Sequence, residues 1–148
     1  MLELIVTVLI TVSSALLFGY WFRYTCLLIL SARTTRDYAA EIAQVNQLSF
    51  LQVQAQLRDQ PVHLDRLQAA LDRDYAAITN LIQNASGQGD WGMEDRMLQL
   101  NYRLMGAWCG ISRRFSNEMG RRALDEMSTI IAHFANAMGE RAAVGAAA

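Results

Sequence analysis

Lysine is absent from this chain: all thirteen of its basic residues are arginine. That absence excludes Schiff-base chemistry, a lysine nucleophile and the lysine of a phosphate-binding loop. Cysteine occurs twice, as Cys26 and Cys109, both in apolar helical stretches without metal-type spacing; they read as packing residues. Histidine also occurs only twice, at His63 and His133, and neither belongs to the Glu-x-x-His motif of helical di-iron sites. No nucleophile elbow, nucleotide fingerprint or zinc spacing is present. Neither charge sign dominates, with 13 basic residues against 14 acidic, so nucleic acid is not an expected partner. Proline occurs once, at Pro61, and the Gly87, Gly89 and Gly92 cluster makes the other obvious break.

What the chain has is a long apolar run, residues 4–32, interrupted by the single charge of Arg23. As a helix it would be about 43 Å long, against a hydrocarbon core of roughly 30 Å that about 20 residues span. The run therefore reads as a transmembrane anchor with apolar length to spare. A guanidinium at mid-membrane costs several kcal/mol on insertion scales and little at the interface. The membrane core is accordingly expected over residues 5–22, with Tyr20, Trp21, Arg23 and Tyr24 at the boundary as an aromatic and basic belt. The alternative register, residues 13–32, buries Arg23 and makes it a functional charge. In the first register residues 25–30 emerge still apolar, and Leu27, Leu28 and Leu30 become a candidate interface to the bundle or to another subunit.

Sidedness follows from arginine. Only Glu3 and the amino terminus precede the run, whereas Arg23, Arg33 and Arg36 follow it. The positive-inside rule then predicts a single-pass protein of the cell (inner) membrane, N-terminus outside and the bulk of the chain cytoplasmic. With no basic residue ahead of an overlong apolar stretch, the segment reads as an uncleaved anchor rather than a signal peptide.

Residues 33–142 read as a cytoplasmic helical bundle and 143–148 as a disordered tail of small residues. The expected fold is all-α: a transmembrane helix at 1–32 continuing into an antiparallel bundle of three to four helices. The first bundle helix is expected to run on from the anchor to about residue 58, with Tyr38, Ile42, Val45 and Leu48 at helical spacing. Pro61 suits the first turn of the second helix, whose stripe of Leu64, Leu67, Leu71, Tyr75, Ile78 and Ile82 faces away from Asp65, Arg66, Asp72, Arg73 and Gln83. Asp90, ending the 86–90 loop, is the plausible N-cap of a third helix running to about 115. That helix is apolar on two faces, Met97, Leu104, Trp108 and Ile111 on one, Leu98, Met105 and Cys109 on the other. Such width marks a central helix or one touching a second chain, with Leu98 and Met105 as candidate partner contacts. The last helix is expected over 117–141, with Ser116 as its N-cap and Met127, Ile130, Ile131, Phe134 and Met138 inward; a single rod over 94–141 is the competing arrangement.

Alternating helix directions place Trp91 and Met93 toward the bilayer and gather Arg113, Arg114, Arg121 and Arg122 at the distal tip, as a docking patch for an acidic partner or a solvated end. Arg36-Asp37-Tyr38-Ala39-Ala40 recurs as Arg73-Asp74-Tyr75-Ala76-Ala77. Without a third copy this echo is no solenoid, although Tyr38 and Tyr75 are expected at comparable core positions. His133 falls on a polar face with Arg122, Glu126 and Thr129, a surface position. Asp90, Glu94 and Asp95 form a carboxylate group that suits a helix start and has no neighbouring histidine in sequence.

These features point to a non-catalytic accessory, scaffold or assembly subunit of a larger membrane complex or homo-oligomer. The alternative is a signalling or regulatory bundle driven through a continuous helical junction. The expected partners are membrane lipid and other membrane-complex subunits or a second copy of the chain. No small-molecule substrate, cofactor or metal site is evident.

Overall fold

The computed structural model describes residues 1–32, 36–59, 63–85 and 92–147. The described residues hold six helices and no strand. They divide into two compact units, Met1–Ala32 and Arg33–Ala148.

The first unit is one helix, α1 (Leu2–Ser31), of 30 residues. It is long and apolar enough to cross a membrane. Its residues from Leu2 to Trp21 are all exposed, so no apolar side of this stretch is reserved for a protein core. Three hydroxyls of its first half are satisfied within the helix: Thr7 Oγ1 donates to Glu3 O, Thr11 Oγ1 to Thr7 O, and Ser13 Oγ to Ile10 O, at 2.8–3.0 Å. In hydrocarbon this back-bonding removes the cost of an unpaired hydroxyl.

The helix predicted to run unbroken from the anchor to residue 58 does not form. Ala32 turns extended at φ −62°, ψ 123°, and the next helix, α2 (Ala39–Val45), begins afresh. Asp37 explains the restart, since its Oδ1 accepts from Ala39 N at 3.0 Å, the kind of local bond that favours a helix start over a helix interior. A second break follows at once. Gln47 adopts φ 51°, Leu48 N donates to Ala43 O at 2.9 Å and Gln47 N to Gln44 O at 3.4 Å, a left-handed helix stop closed by the buried Leu48. Helix α3 (Phe50–Arg58) then starts from Ser49, whose N–H and hydroxyl both donate to Asp74 Oδ2, at 2.7 and 3.0 Å.

Helix α4 (Leu64–Ala85) follows its periodicity. Leu64, Leu67, Leu71, Ile78 and Ile82 are buried and Tyr75 is half-buried, while Asp65, Arg66, Asp72, Arg73 and Gln83 are exposed. Pro61, Arg33, the 86–90 loop with its Asp90 cap, and Trp91 lie outside the described residues.

Helices α5 (Met93–Ser112) and α6 (Asn117–Ala147) are separate, so residues 94–141 are not one rod. Phe115 N and Ser116 N both donate to Ser112 O, at 2.9 and 2.8 Å, which closes the turn, and Gly120 N donates to Ser116 O at the start of α6. Where the small-residue tail reads as disordered, α6 instead continues as helix to Ala147; alanine's helix propensity is enough to extend an established helix.

The centre of the second unit is α6, not α5. Helices α2, α3, α4 and α5 all pack on it. Ala123, Leu124, Met127, Ile130, Ile131, Phe134 and Ala135 are buried along its length, whereas Met138 is half-buried. Small residues alternate with branched ones on α6, so neighbours approach it from more than one side. At Gly139 an added Cβ would lie 2.3 Å from the Cβ of Tyr38, and Tyr38 N donates to Asn136 Oδ1 at 2.7 Å. The echoed motifs therefore land differently. Tyr38 precedes α2 and sits against α6, while Tyr75 lies mid-helix and stacks on Tyr102 of α5, centroids 3.9 Å apart and planes 6° from parallel.

Candidate functional site

Helix α5 meets α6 across a cleft of about 500 Å³, lined by Met93, Glu94, Asp95, His133, Glu140 and Arg141 among others. Glu94 and Asp95 occupy the first turn of α5, where a carboxylate complements the helix dipole. Glu140 and Arg141 follow His133 on α6 at seven and eight residues, about two turns further along the helix. Arg141 Nη2 donates to Asp95 Oδ2 at 3.3 Å and joins the two helix ends.

His133 is half-buried here. The sequence placed it on a solvated polar face; the structure turns it toward α5, beside the carboxylates that have no histidine near them in sequence. Burial pulls its imidazole below the ordinary value, and the charges of Asp95, Glu94 and Glu140 act in the opposite direction. Desolvation wins, so the ring is held neutral. The cleft then carries three carboxylates against one guanidinium, an acidic lining suited to a cationic or hydrogen-bond-donating group. Among the described residues no three His, Cys, Asp or Glu side chains converge as a metal would require.

A second polar layer ties the helices together deeper in the bundle. Tyr102 donates to Asp72 Oδ1 at 3.0 Å, and Asn101 Nδ2 donates to Glu126 Oε1 at 2.6 Å. Burial raises the Tyr102 phenol above its ordinary range, and the neighbouring Asp72 carboxylate adds to the rise. Burial also raises Cys109, whose thiol donates to Gly120 O at 3.7 Å. Cys109 remains a thiol rather than a thiolate, which fits packing rather than nucleophilic chemistry. Neither Cys26 nor Cys109 is in a disulfide.

Of the residues expected at a membrane interface, Tyr20, Trp21 and Tyr24 form one aromatic cluster on α1. Tyr20 and Tyr24 stack with centroids 6.3 Å apart, and Trp21 meets Tyr24 edge-on at the same separation. Beyond them Leu27 and Leu28 are exposed and Leu30 is half-buried. The partner contacts expected on α5 need correction. Leu98 is fully buried and Met105 half-buried, on the side of the helix that faces the core. The outward apolar residues are Leu100, Leu104, Trp108 and Ile111.

The four arginines expected as one docking patch have separate tasks. Arg113 pairs with Asp65 at the start of α4. Arg121 donates to Leu57 O and to Asp59 O, capping the end of α3. Arg122 pairs with Glu118 one turn away at 3.1 Å, and Arg114 is exposed. No family model, curated protein or solved structure matches this chain.

Proposed function

We propose that this is a non-catalytic, membrane-anchored helical protein that serves as an accessory, scaffold or assembly subunit of a larger membrane complex. In this reading α1 spans the inner membrane once, N-terminus outside. The second unit, an antiparallel bundle built on α4, α5 and α6 with α2 and α3 against it, stands in the cytoplasm. The observation that carries the reading is the exposure of α1. It is mostly apolar and uncovered from Leu2 to Trp21, and Leu27 and Leu28 remain 48% and 50% exposed beyond the Tyr20, Trp21 and Tyr24 cluster.

Lipid covers the first stretch. A helix of 30 residues is about 45 Å long, some 15 Å more than a hydrocarbon core, so the second stretch calls for protein. The aromatic cluster marks the boundary between the two, since amphipathic rings favour headgroup level.

The test is gentle detergent extraction from the native membrane, followed by the mass of the intact assembly and identification of every subunit. A stable assembly with other proteins, lost in Leu27→Ser/Leu28→Ser while the bundle keeps its thermal unfolding midpoint, is the expected result. A lone monomer that is indifferent to those substitutions would overturn the reading.

A further inference from the structure

We propose that the outer face of α5 lies on the anionic surface of the bilayer. This inference rests on the membrane-anchor reading of α1 but names a second lipid contact, made by the other unit. Leu100, Leu104, Trp108 and Ile111 recur every three to four residues and are 45–55% exposed. Phe115, in the turn that follows, is 85% exposed. These residues form a continuous apolar stripe on the side of α5 away from Leu98, Tyr102 and Cys109.

Charge selects what covers the stripe. From residue 96 to residue 115 the chain contains no acidic residue and four arginines. Arg113 is taken by Asp65. Arg96, Arg103 and Arg114 are exposed and have no ion pair among the described residues. Arg96 and Arg103 lie beside Leu100 and Leu104 along one edge of the stripe. An apolar face with tryptophan at its middle and arginine at its edge is the pattern of a helix lying in a headgroup layer, the rings and aliphatic chains sinking while the guanidinium groups hold phosphates.

Two other occupants fit less well. A second copy of this face would bring the unpaired arginines of both chains together, a like-charge cost with no acidic residue between 96 and 115 to offset it. An acidic protein groove meets the charge requirement, but the bilayer is the surface that a chain anchored through α1 always has within reach, and tethering raises its effective concentration.

The test uses the full-length chain reconstituted in lipid discs with brominated acyl chains, which quench tryptophan on contact. The chain has three tryptophans, so Trp21→Phe/Trp91→Phe reports on Trp108 alone, and Trp91→Phe/Trp108→Phe reports on the anchor through Trp21. Trp108 is expected to be quenched several-fold more in phosphatidylcholine mixed with phosphatidylglycerol than in phosphatidylcholine alone. Arg96→Gln, Arg103→Gln and Arg114→Gln should each weaken docking about five-fold, and high salt should release it. Hydrogen exchange of residues 96–115 in the unsubstituted chain should slow in the mixed discs by a matching factor.

Trp108 unquenched in both lipids, with Trp21 quenched, would overturn the inference and leave the anchor standing. Trp108 shielded from a soluble quencher but not touched by lipid would overturn it in favour of a second copy of this chain, which the mass of the loaded disc reports. Quenching that ignores both the anionic lipid and the arginine substitutions would also overturn it. Trp21 unquenched would remove the anchor reading, and this inference with it.

Discussion

Gly139 and Tyr38 meet so closely that no β-carbon fits between them: one built on Gly139 would stand 2.3 Å from Tyr38 Cβ and 2.6 Å from Cγ. The Tyr38 Cβ is bonded directly to the backbone, so no rotamer change moves it aside. The contact fixes the residue ahead of α2 against α6, and Tyr38 N completes it by donating to Asn136 Oδ1.

Gly139→Ala should therefore destabilise the bundle. Overpacking costs up to about 3 kcal/mol and alanine returns about 1 kcal/mol of helix propensity, for a net loss of about 2 kcal/mol. Denaturant unfolding in micelles measures it. In a Tyr38→Ala background the same substitution should cost far less; equal penalties in both backgrounds would mean that the two residues are not coupled.

Asp74 is buried in α4 and accepts two hydrogen bonds from Ser49, at the start of α3. Asp74→Ala leaves a backbone N–H and a hydroxyl without a partner and should cost about 3 kcal/mol. Asp74→Asn keeps an acceptor oxygen and should lose roughly half as much. The amide of Ser49 should exchange faster in the alanine variant than in the asparagine one; no difference between them would dismiss the acceptor role.

His133 gives the bundle a pH dependence whose sign is set by burial. Its folded value lies below the unfolded value of about 6.5, so the unfolded chain takes up the proton first. Stability should fall as the pH drops from about 6.5 through the folded value and be unaffected by this group above that window. Thermal midpoints between pH 7 and 5 should decline more steeply in the unsubstituted chain than in His133→Gln. Asp95→Asn removes a charge that raises the imidazole and should move its titration lower still, as followed by proton NMR. Parallel midpoint profiles for the two chains would sink the prediction.

Ser112 carries the one buried side-chain polar atom without a hydrogen-bond partner among the described residues. Ser112→Ala should stabilise the bundle by about 1 kcal/mol, since the hydroxyl was desolvated without return. A loss of stability would mean that this hydroxyl makes a bond in the folded protein.

Much of the helix content was legible. The α4 stripe predicted its own burial because six apolar residues at helical spacing leave one energetically sensible face. The break before α6 was legible only in part: Ser116 offered an N-cap, but no residue from Arg114 to Glu118 forbids a continuous rod, and the turn is closed by backbone bonds from Phe115 N and Ser116 N to Ser112 O. The unbroken helix to residue 58 was not, because its two interruptions depend on weak local choices. Nothing in the glutamine side chain demands a left-handed Gln47, and the start of α3 is held by a carboxylate 25 residues away. The α5 faces were recognised but their roles were exchanged: periodicity identifies two apolar sides without saying which one a neighbour covers.

The cleft lay out of reach for the same reason. His133 and Asp95 are far apart in the chain, and only the packing of α5 on α6 brings an imidazole to a carboxylate pair. By itself the sequence determined what depends on neighbours along the chain: the all-helical class, the stripe of α4, the apolar length of α1, and the aromatic cluster of Tyr20, Trp21 and Tyr24 on it. Tertiary structure decided what depends on contact across it: α6 as the hub, the neutral His133, the division of the arginines, and the stripe from Leu100 to Ile111 left facing outward. Local periodicity sets which residues share a side of a helix, and only packing sets which sides are desolvated.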